Sequence, residues 1–192
     1  MNSAMIISAV RTPIGRFNGS FNSFSAPKLG SLVIAESLKR AGVSPEIVDE
    51  VIMGNVITAG LGQNPARQAS HYGGVPDKVP ALTINKVCGS GLKAIMLAAN
   101  SIKAGESQTI VAGGMENMTN APYILPSARF GQRLGHAELI DAMVYDGLWD
   151  IYNNFHMAIT AELVSEKYRG SREMQDTFAA KSHQKAVKAA KD

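Results

Sequence analysis

The chain reads Ala81-Leu-Thr-Ile-Asn-Lys-Val-Cys-Gly-Ser-Gly-Leu-Lys93 at the point where an apolar, β-branched run gives way to a helical pattern. Apolar residues then recur at helical spacing as far as Ile102, and Gly105 is placed to end the helix. We therefore predict a strand over Ala81–Val87 and a largely buried helix over Cys88–Ala104.

Cys88 is the only cysteine in the 192 residues and stands at the predicted junction of strand and helix. A thiol at a helix N-terminus faces unpaired backbone N–H groups and the positive end of the helix dipole, which stabilise its thiolate. Glycines at positions 89 and 91 lack a Cβ and leave the sulfur open to another group. A free cysteine is often simply buried. This setting instead favours a nucleophile, and we predict Cys88 as the catalytic residue.

The rest of the first half alternates strand-like runs with helical ones, which is typical of an α/β fold with mainly parallel strands. Further strands are predicted over 5–10, 48–57 and 108–112, and helices over 28–41 and 65–72. The Cys88 helix would then lie between two strands in a βαβ unit, which places the thiol at the carboxyl edge of the sheet. Ligands usually bind at this edge in α/β proteins.

The second part of the chain has a different character. Residues 116–155 mix glycine, proline, asparagine and aromatic residues without a sustained period, as functional or interface-forming segments often do. Two helices are predicted after this segment, over 158–168 and 172–191, and Ser171 is the predicted N-cap of the second.

Composition and charge argue against several classes of protein. The chain has 45% hydrophobic and 18% charged residues, as globular proteins do. Its net charge of +3 is spread without a basic stripe, which disfavours nucleic acid as a partner. No run approaches the ~20 apolar residues of a membrane-spanning helix, and a single cysteine with no signal-like N-terminus predicts a cytoplasmic protein. The four histidines and Cys88 are too far apart in sequence for metal-ligand spacing, so no metal site is predicted.

Five short motifs occur in order along the chain: Arg11-Thr-Pro-Ile-Gly15, Gly62-Gln-Asn-Pro-Ala-Arg67, the segment Asn85–Lys93 around Cys88, Val111-Ala-Gly-Gly-Met-Glu-Asn-Met118 and Asp146-Gly-Leu148. Together and in this order they resemble the motifs of the thiolases, which cleave or form 3-ketoacyl-CoA thioesters through a cysteine acyl-enzyme. The motif around Cys88 resembles the segment that carries the acylating cysteine in that family. The resemblance implies the thiolase fold of α-β-α-β-α layers. This chain would supply the N-terminal βαβ half, residues 1–118, and the first part of an inserted loop domain, residues 119–192.

Asn154-Phe-His-Met-Ala158 resembles the segment that lines the acyl and pantetheine pocket in the short-chain, biosynthetic acetoacetyl-CoA thiolases. The resemblance implies that His156 and Met157 line this pocket and that Leu148 touches the pantetheine arm. From the residue type alone, Met157 is equally well explained by core packing. The implied activity is that of an acetyl-CoA C-acetyltransferase, which condenses two acetyl-CoA to acetoacetyl-CoA and CoA. These CoA thioesters are substrates, and no cofactor is implied.

Relative to the family pattern, the chain stops at Asp192 inside the loop domain, before the segments that supply the base histidine, the second cysteine and the oxyanion-hole asparagine. None of its own histidines matches the catalytic ones. The resemblance therefore implies a C-terminal thiolase polypeptide as partner, and the chain alone is expected to be inactive and to leave an apolar face uncovered. Assembly into dimers or tetramers is also implied, because residues 116–133 resemble the segment through which thiolase dimers pair.

Other functions stay open at this point. A degradative 3-ketoacyl-CoA thiolase would use the same cysteine with a roomier pocket for longer acyl chains, and a noncatalytic CoA-binding or scaffolding half would need no complete set of catalytic residues. A ketoacyl synthase fits the flanking motifs less well. A dinucleotide-binding domain is disfavoured because Gly89 and Gly91 are not followed by a third glycine at position 94, which is Ala94.

Overall fold

A three-stranded parallel sheet organises the first part of the computed structural model, which describes residues 3–191. The strands lie in the order β2-β1-β3 and comprise β1 (Glu50–Gly54), β2 (Ala81–Ile84) and β3 (Ile110–Gly114). In the central strand, Val51 pairs with Ala81 on one side and with Val111 on the other. Its side chain is fully buried, as expected for a central strand covered on both faces. The predicted α/β fold with parallel strands is confirmed.

Three helices accompany this sheet: α1 (Ala26–Ala41), α2 (Pro65–Tyr72) and α3 (Ser90–Ala104). Helices α2 and α3 contact the strands, and α1 packs on α2. Local signals set their ends. The Asn64 side chain accepts a hydrogen bond from the Arg67 N–H at the start of α2, and Gly42 and Gly105 end α1 and α3 in the left-handed conformation.

Most of the predicted elements of this part are present with shifted ends. Helix α2 has its predicted bounds, whereas α1 begins two residues before the predicted start. Strands β1 and β2 are shorter than predicted, and β3 is displaced toward its C-terminal side. The strand expected to run to Val87 ends at Ile84 because the chain turns there toward α3.

The prediction that the Cys88 helix is largely buried is wrong. Helix α3 buries Ala94 and Ala98, but Leu92, Ile95 and Met96 are 66%, 41% and 48% exposed. The alanine face lies against the sheet because small side chains let the helix backbone approach it closely. The larger apolar side chains therefore point away from the sheet, and no other described residue buries them.

Residues 5–10, predicted as a strand, pair with no other strand in the part of the chain that the structure describes. Met5, Ile6 and Ile7 are 76%, 76% and 66% exposed. A β-strand needs a neighbour that satisfies its backbone N–H and C=O groups. The apolar pattern alone therefore does not produce a strand here.

The segment predicted as irregular contains two short antiparallel strand pairs. Contacts divide the chain into two compact units, Met1–Gly147 and Leu148–Asp192. The first unit ends with β4 (Tyr123–Ile124), β5 (Ile140–Asp141) and α4 (Ala142–Gly147), and the second comprises β6 (Trp149–Asp150), β7 (Phe155–His156), α5 (Met157–Lys167) and α6 (Arg172–Ala189). The Ser171 hydroxyl accepts a hydrogen bond from the Met174 N–H, as predicted for an N-cap. The division of the thiolase domains at residue 118 stays a prediction.

Asp49 ties the start of β1 to the start of β3, and we expect its replacement to lower stability. Its Oδ2 accepts hydrogen bonds from the Gln108 and Thr109 N–H groups at 2.7 and 2.9 Å. These bonds, the Thr109 bond first, lower the pKa of Asp49 below its ordinary value. Asp49→Asn should reduce the free energy of unfolding by about 1 kcal/mol at pH 7, allowing for solvent screening at this exposed site.

The pH dependence of unfolding tests the assignment to Asp49. A carboxyl group with a lowered pKa in the folded state contributes stability above its ordinary pKa of 3.8, and this contribution is lost as the pH falls through the folded-state value. The difference between wild type and Asp49→Asn in urea unfolding should therefore shrink on acidification below pH 3.8. Glu106→Gln is the matched control, because no described group donates a hydrogen bond to the Glu106 carboxylate. An equal loss in both variants would contradict the prediction.

Candidate active site

Cys88 lies in the tight turn between the carboxyl end of β2 and the start of α3. Its side chain is exposed and its thiol is free. Helix α3 begins at Ser90 with Gly89 as N-cap, so Cys88 precedes the helix rather than forming its first residue. Gly89 supplies no capping oxygen, and the positive end of α3 is therefore not neutralised by a side chain of its own N-cap.

Val87, the residue before Cys88, has an unfavourable backbone conformation. Its φ of +48° lies in the left-handed region, which β-branched side chains rarely adopt. Such a conformation costs about 1–3 kcal/mol and persists only where the surroundings impose it. Six non-glycine residues among those described share a positive φ, and Val87 is the only β-branched one: Asn18, Asn64, Val87, Gln132, Asn154 and Arg169.

Hydrogen bonds from two side chains close this turn. The Ser90 Oγ accepts from the Lys86 N–H at 2.8 Å and donates to the Val87 carbonyl at 2.6 Å. The Asn85 Oδ1 accepts from the Val87 N–H at 2.9 Å. Backbone bonds from Gly89 to the Lys86 carbonyl and from Ser90 to the Val87 carbonyl complete the turn. Sequence reasoning assigned no role to Asn85 or Ser90, although an asparagine two residues before a strained position is a turn signal.

Glu116 follows β3 and holds the segment that follows β1. Its carboxylate accepts hydrogen bonds from the Val56 and Ile57 N–H groups at 2.8 and 3.3 Å and from the Asn55 side-chain amide at 2.6 Å. Burial raises the pKa of Glu116 above its ordinary value, and these hydrogen bonds act against that shift. The Val56 carbonyl in turn accepts from the Asn85 side-chain amide at 3.4 Å. Glu116 is thereby linked to the Cys88 turn, a role that sequence reasoning missed.

Glycines at the carboxyl ends of β1 and β3 allow α3 to approach the sheet. A Cβ on Gly54 would lie 2.6 Å from the backbone carbon of Ser90 and 2.8 Å from the Gly91 nitrogen. A Cβ on Gly114 would lie 3.2 Å from the Gly91 Cα. The first turn of α3, and with it the Cys88 turn, is therefore seated directly on the ends of the strands.

The three predicted substrate-binding residues lie together in the second unit. Trp149 pairs with His156 in the hairpin β6–β7, and the Met157 N–H donates to the Leu148 carbonyl at 2.8 Å. His156 is also the N-cap of α5, where its Nδ1 accepts from the Ala158 N–H at 3.1 Å. In the neutral ring the proton is thus on Nε2, which is free to donate to a ligand. Cys88 belongs to the first unit, and the pocket roles of Leu148, His156 and Met157 stay predictions.

Two further structural features concern ions and membranes. Within residues 3–191, no group of three or more His, Cys, Asp or Glu side chains is arranged to hold a metal ion. None of the helices in that range combines the length and the apolar character needed to cross a membrane.

Comparison with known proteins gives the family. Residues 4–192 match the family model of the thiolase N-terminal domain. The chain belongs to the thiolase family. It is 58% identical over 191 residues to an acetyl-CoA acetyltransferase of Cupriavidus necator, in a match that covers 100% of this chain and 49% of the relative. It is 55% identical over 189 residues to an acetyl-CoA acetyltransferase of Pseudomonas aeruginosa. That match covers 98% of this chain and 48% of the relative.

A solved thiolase structure has the same fold. The Acat5 thiolase of Ascaris suum, crystallised in complex with coenzyme A, superposes with a TM-score of 0.95 at 41% identity. The match covers 99% of this chain and 49% of that one. The prediction of a thiolase fold, N-terminal part, is confirmed, and this thiolase chain spans about half the length of the relatives that it matches.

Proposed function

We propose that this chain is the N-terminal part of an acetyl-CoA C-acetyltransferase in which Cys88 carries the acetyl group. The observation that carries the proposal is the exposed thiol of Cys88 on a strained turn at the carboxyl edge of a parallel sheet. Strained backbone at such an edge is typical of nucleophiles that must be presented to a substrate. The relatives named acetyl-CoA acetyltransferase support the choice of substrate.

In the first stage, the Cys88 thiolate attacks the carbonyl carbon of one acetyl-CoA. A carbon–sulfur bond forms to Cys88, the bond to the CoA sulfur breaks, and CoA leaves as a thiolate that takes up a proton. Negative charge builds on the thioester oxygen meanwhile, and we assign the Cys88 backbone N–H as one of the donors that stabilise it. Losing one such donor typically costs about 10² to 10³ in rate.

In the second stage, a base removes a proton from the methyl group of another acetyl-CoA. The resulting carbanion attacks the acetyl carbonyl on Cys88, a carbon–carbon bond forms, and the bond to the Cys88 sulfur breaks. Acetoacetyl-CoA is released and the thiolate is restored. The resemblance assigns the base to a second cysteine, which we place with the activating histidine on a C-terminal thiolase polypeptide.

The exposed face of α3 supports such a complementary polypeptide. Leu92, Ile95 and Met96 lie on the helix that follows the nucleophile, and each is at least 41% exposed. A contiguous apolar patch on a protein surface favours association with another surface. We propose that the C-terminal part covers this face, that the complete enzyme assembles into dimers or tetramers, and that residues 116–133 form the segment through which dimers pair.

Leu148, His156 and Met157 are the proposed pocket residues for the acetyl group and pantetheine arm. They meet at the base of one short hairpin, so that a single local structure would present all three to the ligand. The Nε2 of His156 would donate a hydrogen bond, and the flexible Met157 side chain would fill space beside a small acyl group.

A chimera tests the proposal. Residues 1–192 are joined to the remaining half of the Cupriavidus necator relative, and thiolysis of 3-ketoacyl-CoA substrates of increasing chain length is measured. We expect activity with acetoacetyl-CoA, a decline with longer chains, and an acetyl adduct on Cys88 by mass spectrometry after exposure to acetyl-CoA. A folded chimera that binds CoA without forming the adduct would indicate a noncatalytic half. Equal or higher activity on long chains would indicate the degradative class of thiolase.

A further inference from the structure

We propose that Asn85 and Ser90 are positioning residues for Cys88, because together they hold Val87 in its left-handed conformation. The inference rests on the proposed role of Cys88 as nucleophile. Neither side chain is assigned to contact the substrate. They act through the backbone of the residue that precedes the thiol.

The strain at Val87 requires a compensating interaction. Val87 is 53% exposed, so burial of its isopropyl group does not offset the cost of a positive φ. Glycine would adopt this conformation without penalty. The interactions that remain to hold the turn are hydrogen bonds to the Lys86 and Val87 backbone groups.

Ser90 supplies the first of these interactions from a rigid support. Ser90 is only 5% exposed. Its hydroxyl bridges the Lys86 N–H and the Val87 carbonyl, which lie on opposite sides of the N–Cα bond of Val87, the bond that φ describes. The packing of α3 on Gly54 fixes the position of Ser90 itself, because the two backbones are in close contact. The sheet thus determines where the hydroxyl holds the turn.

Asn85 supplies the second interaction from the other side of the turn. Its Oδ1 holds the Val87 N–H, while its amide donates to the Val56 carbonyl after β1. The Val56 N–H is in turn bound by the carboxylate of Glu116 after β3. The strained residue is therefore connected to the carboxyl ends of all three strands.

The direction in which the chain enters Cys88 depends on the dihedral angles of Val87. If the turn relaxed to an extended conformation, the thiol would move away from the start of α3 and from the position that a substrate must meet. A displacement of about 1 Å at a reacting group can cost up to about 10² in rate. Ser90→Ala should therefore impair Cys88 without removing any group that touches substrate.

Cys88 is the single cysteine of the chain, so alkylation by iodoacetamide followed by mass spectrometry reports on this site alone. In the 192-residue chain, we expect Ser90→Ala to slow alkylation about tenfold, because the relaxed turn would carry the thiol away from the place where the native turn holds it. Ser90→Thr keeps the hydroxyl and should restore the rate to within about twofold. Asn85 is exposed, so Asn85→Ala leaves no cavity and provides a second variant if Ser90→Ala does not fold.

The decisive measurement is the coupling between Ser90 and Val87. In the presence of Val87→Gly the turn no longer stores strain, and adding Ser90→Ala should then slow alkylation less than about threefold. A purely structural role of Ser90 at the start of α3 predicts the same loss with and without Val87→Gly, and that result would overturn the proposal. Ser101→Ala is the matched control, because this serine lies on the same helix with its hydroxyl bonded to Ser107; its alkylation rate should equal that of wild type.

The same variants in the chimera separate this proposal from the proposed function. If Cys88 of the unsubstituted chimera never acquires an acetyl group, the proposed function is wrong. The coupling between Ser90→Ala and Val87→Gly in the alkylation rate still decides whether Ser90 holds the turn. If acetylation occurs, Ser90→Ala should lower kcat about tenfold or more while KM changes less than about twofold. An unchanged kcat would contradict the positioning role.

Discussion

Cys88→Ala should abolish acetoacetyl-CoA thiolysis in the chimera, with a loss of at least about 10⁴-fold. The thiol is the only group in this chain proposed to form the covalent intermediate, and alanine can neither attack the thioester nor carry the acetyl group. Because Cys88 is exposed, its replacement leaves no buried cavity, and the fold should be retained. Steady-state rates measure the loss of thiolysis, and the intact mass after exposure to acetyl-CoA measures the loss of the acetyl adduct.

Cys88→Ser is the matched variant, since it keeps the size and a hydroxyl at the same position. A hydroxyl is protonated at neutral pH, so we expect a loss nearly as large as that of the alanine variant. CoA binding, measured by calorimetry, should stay within about twofold of the unsubstituted chimera in both variants, because neither removes a proposed pocket residue. Thiolysis above about 1% of the original rate in the alanine variant would mean that another group accepts the acyl chain.

Elements whose ends depend on neighbouring residues were predictable from the sequence. Helix α2 begins at Pro65 after the capping Asn64 and has its predicted bounds, and Ser171 caps α6 as predicted. These signals act within one helical turn, so they require no knowledge of what the helix packs against. The position of Cys88 at the carboxyl edge of the sheet was predicted from the order of strand, helix and strand in one βαβ unit.

The features that depend on distant residues were not predictable. The buried face of α3 consists of Ser90, Ala94 and Ala98. The larger apolar residues on the same helix follow a helical period and conceal this face in the sequence. The Glu116 carboxylate accepts a hydrogen bond from the N–H of Val56, which is 60 residues earlier in the chain. No local period connects such groups, and only the parallel sheet brings them to one edge.

The residues of the candidate site also differ in whether nearby sequence indicates them. Cys88 could be singled out from its surroundings, whereas Leu148, His156 and Met157 were proposed through the resemblance to thiolases. Within their hairpin these three residues are adjacent because of a strand pair only two residues long on each side. Short pairs of this kind give a weak sequence signal, since the alternation that marks a strand needs about 4–8 residues.

Gly54→Ala should reduce the free energy of unfolding by about 3 kcal/mol, because the new methyl group would overlap the backbone of α3. Its Cβ would lie 2.6 Å from both the backbone carbon and the Cβ of Ser90, and backbone atoms cannot rotate away as a flexible side chain would. Relief requires α3 to move off the end of β1. That movement also displaces the Ser90 hydroxyl, so alkylation of Cys88 should slow together with the loss of stability measured by urea unfolding.

Gly91→Ala is the control on the other side of the same contact. A Cβ there would lie no closer than 3.6 Å to any neighbour, an ordinary contact distance, and alanine favours the helix by up to about 1 kcal/mol over glycine. The variant should therefore be as stable as wild type or more stable. Both substitutions add one methyl group between α3 and the ends of the strands, and only the first brings it close enough to overlap backbone atoms. Equal losses in the free energy of unfolding of the two variants would contradict this prediction. They would mean that any added methyl group between α3 and the sheet is destabilising, and that the close approach of α3 at Gly54 has no special role in holding the Cys88 turn.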